Sequence, residues 1–224
     1  MSAGSRFDRT AERYAALARE KDWAGFVEWC DPQPGDRALD VAGGPGALAA
    51  VLVSQVGSIT VLDTSARLLE YVPDGVTRAL GRAEQLPFDD ASFDLVTCVN
   101  SLHHIARPPR ALDEMARVLA PGGRIVLEDF IADDDPARAR RWEEIERIRD
   151  PEHGRLITAG EPRVPLLGAG LDLDAEEMWL RLFEVDPWLE LAGCGGSAAE
   201  HVRELIGAPT FELRVWRARF RRPD

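Results

Sequence analysis

The segment Asp40-Val41-Ala42-Gly43-Gly44-Pro45-Gly46 follows a short apolar stretch and leads directly into ALAAVLVSQV. Positions without side chains let a ligand approach the backbone, and the start of a helix offers unpaired N–H groups. Gly44-x-Gly46-x-x-Ala49 fits a nucleotide-binding turn, and Asp63 ends the next apolar stretch, where a carboxylate can accept both hydroxyls of a ribose. Together these residues point to an adenosine-containing ligand, either a nicotinamide dinucleotide or S-adenosylmethionine. Neither Tyr14 nor Tyr71 has a lysine four residues on, the pair a short-chain dehydrogenase requires, and Lys21 is the chain's single lysine.

The groups that titrate near neutrality are His103, His104, His153 and His201. His103 and His104 follow an apolar run, where one can meet substrate while the other packs back on the fold. As neighbours in a loop they are expected to diverge, which disfavours a shared metal. His153 lies near Asp150 and Arg155, and a nearby carboxylate can orient a histidine and raise its basicity, so His153 is the first candidate for a general base. His201 reads as surface. Asp133-Asp134-Asp135 precedes a proline and a charged helix, which makes it a cap and not a metal site.

These residues are placed by a repeating pattern. Two amphipathic helices are predicted over 5–30, strands over 37–42, 58–62, 76–80, 93–99 and 124–130, and helices over 47–56, 65–71 and 110–119. Strands alternating with helices imply a mostly parallel sheet covered on both faces. After Phe130 comes a charged helix to about 148 and a stretch rich in Gly and Pro, read as a lid-like insertion. Strands over 177–185 and 210–220 then surround helical turns at 187–191 and 198–206. The expected organisation is one domain: a helical cap over 1–35, a cofactor-binding core over 36–131, the insertion over 132–175 and C-terminal strands and helices over 176–224. Trp142 and Trp188 fall in segments expected to cover the pocket.

The 224 residues are 45% apolar, and 27 basic against 39 acidic side chains leave a formal charge of −12. That balance disfavours nucleic acid and acidic lipid surfaces and favours a small-molecule substrate. No apolar run is long enough for a membrane helix and the first residues lack the core of a signal peptide, so a cytoplasmic monomer or homodimer is expected. Cys30, Cys98 and Cys194 are odd in number and far apart, which indicates neither a disulfide framework nor a structural zinc site.

Residues 38–130 resemble the core of a class I S-adenosylmethionine-dependent methyltransferase, of the bacterial small-molecule group that includes the ubiquinone and menaquinone methyltransferases. The resemblance rests on Leu39 to Gly46, Val61-Leu62-Asp63-Thr64-Ser65, Ala83-Glu84-Gln85-Leu86-Pro87-Phe88 with Ser92-Phe93-Asp94, Leu102-His103-His104, and Arg117 to Gly123, in the family's order. Phe7-Asp8-Arg9 with Tyr14 resembles the family's N-terminal cap, and Arg149 to His153 a stretch of one subgroup. The implied fold is a Rossmann-like, doubly wound, seven-stranded sheet with an antiparallel C-terminal strand.

The resemblance also assigns roles. Asp40, Ala42, Gly43, Gly44 and Gly46 would cradle the methionine part of S-adenosylmethionine, Asp63 and Thr64 the ribose, and Arg82, Ala83 and Glu84 the adenine edge. Asn100 and Ser101 would face the reactive methyl group, and Tyr14 would join the cofactor-binding set, with S-adenosylhomocysteine as product. Ala42 stands where the family has its first glycine. Arg82 stands where many relatives have an aspartate, so adenine recognition falls to backbone groups or Glu84. The activity implied is methyl transfer to O, N or C of a small apolar or aromatic acceptor; the alternatives are a cyclase or rearrangement enzyme on the same cofactor, or a non-catalytic partner.

Overall fold

The computed structural model describes residues 6–224, with side chains from Thr10 onward, so the side chains of Phe7, Asp8 and Arg9 lie outside the described ones. The chain opens with helices α1 (Arg6–Arg19) and α2 (Ala24–Cys30). It continues through β1 (Arg37–Val41), α3 (Ala47–Leu52), β2 (Ser58–Asp63), α4 (Ala66–Leu69), β3 (Thr77–Leu80), β4 (Phe93–Val99), α5 (Pro108–Val118) and β5 (Leu119–Phe130). Helices α6 (Pro136–Arg149) and α7 (Gly160–Gly168), strand β6 (Asp172–Glu184), helices α8 (Val185–Leu191) and α9 (Gly196–Ile206), and strand β7 (Thr210–Arg221) complete it.

The seven strands lie in the order β3-β2-β1-β4-β5-β7-β6. β7 runs antiparallel to both its neighbours, while the pairs among β1 to β5 are parallel. From β1 the chain proceeds outward to β2, and from β4 it proceeds the other way to β5. Neighbouring strands whose connections leave in opposite directions open a crevice beyond their carboxyl ends, and here that crevice lies past Val41 and Val99.

Local chemistry fixes the element ends. Ser65 accepts a hydrogen bond from the Leu68 amide at 3.1 Å and starts α4. Asp135 accepts from Ala137 and Arg138 amides at 2.7 and 3.2 Å, with Pro136 next, as the acidic cap before a helix predicts. The helix expected over 47–56 closes at Leu52, because the chain must turn back to reach β2: the Gly57 and Ser58 amides both donate to the Asp36 carbonyl, at 2.9 and 3.1 Å. Arg124, in β5, stitches the cap to the sheet. It pairs with Asp36 at 2.5 Å and donates to the Cys30 and Asp31 carbonyls, and both charged groups are almost wholly buried.

The stretch expected to be a lid divides in two. Ile157, Leu166 and Leu171 are buried in the same core as Ala111, Leu112 and Met115, so α7 packs beside α5 and extends the helical layer on that face of the sheet. Only the part around α6 and Glu152 reaches the crevice. The reason is apolar burial: three large side chains at these positions gain about 1.5–3 kcal/mol each against the sheet. No helix among the described residues is long and apolar enough to cross a membrane.

Candidate active site

The residues just beyond β1 and β4 adopt conformations that few side chains tolerate. Ala42 has φ 53° and Asn100 φ 51°, both in the left-handed region. Asparagine visits that region with little difficulty, whereas alanine pays about 1–2 kcal/mol. Strain of this kind persists where the surrounding structure demands a particular chain path. Gly44 and Gly46, with φ 55° and 75°, continue the same turn.

Gly43 is required for a different reason. A Cβ there would stand 2.4 Å from Asp40 Oδ2 and 2.7 Å from its Cγ. Asp40 is buried and held by the Thr97 hydroxyl, which donates to it at 2.8 Å, so it has nowhere to retreat. Gly43→Ala is expected to cost about 1–3 kcal/mol as an overpacked site, read as a lowered urea midpoint with an unchanged slope. Burial pushes the Asp40 carboxyl up to about 7, against the opposing influence of Thr97.

Asp63 ties the turn to the next element. Its Oδ2 accepts from the Gly44 amide at 2.9 Å and its Oδ1 from the Ser65 amide at 2.8 Å. A carboxylate oxygen can accept more than one hydrogen bond.

Two cavities meet at this turn. One of about 240 Å³ is bordered by Asp63, Thr64, Arg82, Ala83 and Glu84, and one of about 410 Å³ by Asp40, Gly43, Trp23, Phe130, Phe183 and Trp188. Tyr14, Ala42, Gly44, Asn100, Ser101 and His104 border both. The residues named from the sequence as a cofactor set are thus brought together, except that Gly46 lies below the cavities against Val72 and Pro73 as the cap of α3. Arg82 is largely in water, its Nε 3.6 Å from Glu84 Oε2. Glu84 is buried, and its Oε1 has no hydrogen-bond partner among the described residues; the same holds for Asn100 Oδ1.

The histidines are arranged differently from expectation. His103 and His104 lie in a single 3-10 turn, Leu102–His104, with ring centroids 4.1 Å apart, so they stay together and do not diverge. His153 is 5.7 Å from His103 and 6.3 Å from His104, making a cluster of three. The Gly154 and Arg155 amides donate to the His103 carbonyl, both at 3.1 Å, which brings His153 into that cluster.

Within the cluster, His103 is held by a buried carboxylate. Its Nδ1 lies 2.5 Å from Asp129 Oδ1, and its backbone amide donates to Asp129 Oδ2 at 3.2 Å. Burial pushes the His103 imidazole down, but the charge and hydrogen bond of Asp129, joined by Glu146, outweigh it and the pKa is raised. His153, the first candidate for a base from the sequence, is placed apart from both cavities. Its side chain is buried, both ring nitrogens lack hydrogen-bond partners, and its nearest carboxylate is Glu143 at 3.5 Å. Burial lowers its pKa, which keeps it neutral. His201 is on the exposed face of α9.

Asp129 was not singled out from the sequence. It sits in Ile125-Val126-Leu127-Glu128-Asp129-Phe130, and the signal was there: two adjacent carboxylates in an otherwise apolar strand require partners. Glu128 finds them in Lys21, at 3.3 Å, and Arg217, at 2.6 Å. The single lysine therefore stands on the wall of the larger cavity, its Nζ 4.0 Å from the Trp23 ring.

Part of the cavity's lining is aromatic. Phe130 meets Phe183 at 5.6 Å, Phe183 stacks on Phe211 at 5.5 Å, and Trp188 meets Phe211 at 4.6 Å. Trp142 packs on Phe211 at 4.9 Å, behind this wall, and so supports the pocket without lining it.

Residues 39–127 match the family described as Methyltransferase domain, Methyltransf_11. The chain is 31% identical over 196 residues to the demethylmenaquinone methyltransferase of Clavibacter sepedonicus, covering 84% of this chain and 78% of the relative. It is 30% identical over 181 residues to the ubiquinone/menaquinone biosynthesis C-methyltransferase UbiE of Ectopseudomonas mendocina, covering 75% and 71%. Its fold is similar to that of the YcgJ protein of Bacillus subtilis, with a TM-score of 0.83 at 22% identity over 95% of this chain and 99% of that one.

Proposed function

The chain belongs to the class I S-adenosylmethionine-dependent methyltransferases, and on that premise we propose that it methylates a small apolar or aromatic acceptor held in the larger cavity, with His103 as the proton acceptor. The observation that carries this reading is the His103–Asp129 pair at 2.5 Å on the cavity side of the cofactor turn. The residues present suit the cofactor. Glu84 Oε1, buried and without a hydrogen-bond partner among the described residues, suits an adenine amino group, for which Arg82 offers no acceptor, and the Asp63 carboxylate borders the same cavity, where it suits ribose hydroxyls.

When bound, S-adenosylmethionine supplies a methyl group on a sulfonium, whose departure leaves a neutral thioether. The protein's own contribution is then position and a proton acceptor. Asp129 orients His103 by accepting a hydrogen bond from Nδ1–H, which leaves Nε2, with its lone pair, as the basic atom. As the acceptor atom of the substrate bonds to carbon, its proton passes to Nε2, and the buried Asp129 carboxylate stabilises the imidazolium that forms. The aromatic wall and Trp23 exclude water and hold a flat acceptor by its faces.

The test is incubation with methyl-labelled S-adenosylmethionine and hydroxyaromatic acceptors, beginning with naphthoquinols because of the relatives' names. Label in the acceptor with equimolar S-adenosylhomocysteine is expected. Conversion of an acceptor to product without loss of label from the cofactor would overturn the reading in favour of cyclisation or rearrangement.

A further inference from the structure

The larger cavity contains three cations, and they are not equally satisfied. Arg149 is paired with Glu146 at 2.7 Å and lies 4.3 Å over the Trp188 ring. Lys21 is paired with Glu128 at 3.3 Å, although Glu128 is shared with Arg217. Arg181, on β6, has no carboxylate within 4 Å among the described residues, and its guanidinium lies 5.2 Å from the Phe183 ring. It is half-buried and borders the cavity.

We infer that Arg181 is the anchor for an acidic group on the acceptor, so that the substrate class is an aromatic or conjugated apolar body carrying a carboxylate or phosphate. This rests on the cavity being the acceptor site. Three observations support it. A guanidinium with no counter-ion in a partly dry cavity is a binding site for anionic oxygen, which its planar fork matches with two hydrogen bonds. Lys21 stands close by, where burial together with the charges of Arg181 and Arg217 lowers its pKa despite Glu128, so two cations face the same part of the cavity, while Arg217 is taken by Glu128 and Glu177. The chain as a whole carries −12, which makes this gathering of cations a local feature and not a consequence of composition.

The cavity's remaining acidic groups do not satisfy Arg181. Glu146 is taken by Arg149, Asp40 is held by Thr97, and Glu20 stands exposed at the rim beyond ion-pair distance. The aromatic rings of Phe183, Phe130 and Trp23 then receive the body of the molecule while Arg181 fixes its acidic end. An acceptor fixed at that end presents a defined atom towards His103, which is the positioning that methyl transfer requires.

The probes are a matched pair, 8-anilinonaphthalene-1-sulfonate and its neutral counterpart N-phenyl-1-naphthylamine, titrated by fluorescence into the protein with and without S-adenosylhomocysteine. The sulfonate is expected to bind about tenfold tighter than the neutral dye, as a charge-assisted hydrogen bond predicts. Arg181→Gln should remove that preference while changing neutral-dye binding less than about twofold, and Arg181→Lys should retain part of it. Displacement of the sulfonate by 1-naphthoate or 1-naphthyl phosphate, at concentrations where 1-naphthamide has no effect, supports the inference, and the stronger competitor names the group.

Equal binding of the two dyes, failure of the sulfonate to bind, or an Arg181→Gln variant that keeps the preference would overturn it. Calorimetry with S-adenosylhomocysteine separates this from the methyltransferase reading. Loss of cofactor binding in the parent protein would defeat that reading, whereas the dye comparison without cofactor still reports on Arg181.

Discussion

His103→Ala is expected to lower kcat by about 10²–10⁴-fold, the usual contribution of a positioned general base, while calorimetric affinity for S-adenosylhomocysteine changes little. The pH profile carries the more specific expectation. The base must be neutral to accept a proton, and Asp129 holds the His103 pKa above its ordinary value, so the rate should rise with pH through an inflection above the usual histidine range and then level off. In Asp129→Asn the charge and hydrogen bond that raise the pKa are removed, burial prevails, and the inflection should move to lower pH. The plateau should fall as well, because the imidazolium loses its counter-ion. A purely structural histidine would change stability without moving the inflection, and that result would defeat the assignment.

The same pair links stability to pH. A raised folded-state pKa contributes stability that is complete below the unfolded histidine value and is lost as pH rises through the folded value. The melting-temperature gap between the parent and Asp129→Asn should accordingly be widest at acid pH and narrow on the alkaline side.

Asp63→Ala has the second large expected effect, on cofactor binding. The carboxylate holds two backbone amides, Gly44 at 2.9 Å and Ser65 at 2.8 Å, and both bonds are buried. Removing a charged acceptor from such donors costs about 1.5–3 kcal/mol each when no replacement is found. Part of that loss will appear as lower stability and part as a glycine turn no longer held against α4. S-adenosylhomocysteine affinity should fall by at least about a hundredfold, equivalent to about 2.7 kcal/mol, since ribose acceptor and turn geometry are lost together. Asp63→Asn should recover part of the stability but not the affinity, because its amide nitrogen cannot accept from either donor. Unchanged affinity in Asp63→Ala would remove the ribose assignment.

How far the site could be read in advance depended on whether its residues are neighbours in the chain. Gly43, Gly44 and Asp63 were legible because a strand, a side-chain-free turn and an acid at the next strand end form a local pattern with a local cause. Tyr14, Arg82, Ala83, Glu84 and Asn100 followed from resemblance, each standing in a motif that comes in order along the chain. All three clustered histidines are candidates from the sequence, but which of them has a carboxylate partner is not legible there. His153 had nearby acidic residues in sequence, yet Asp150 gives it a backbone carbonyl contact at 2.9 Å and no orienting carboxylate bond. His103 gains its partner from a strand 26 residues away, across the β4–β5 pairing that places Asp129 beside the 3-10 turn.

The expected lid-like insertion divides for the same kind of reason. Gly and Pro in 154–171 indicated loop, while Ile157, Leu166 and Leu171 could show their burial only once α5 was there to cover. The single lysine speaks in the sequence only against a dehydrogenase, and its place on the cavity wall comes from its contacts with Glu128 of β5 and the Trp23 ring.

By itself, the sequence determined the alternation that makes a mostly parallel sheet, the turn at which a nucleoside can meet the backbone, and the acidic balance that disfavours polyanionic partners. Those properties arise from periodicity, backbone freedom and bulk charge, which neighbouring residues carry together. Tertiary structure alone decided which histidine has a carboxylate, which cation lacks one, and which aromatic rings face the cavity. Charge partners and burial are set by what the strand order 3-2-1-4-5-7-6 brings within a few ångströms, and no spacing along the chain encodes that distance.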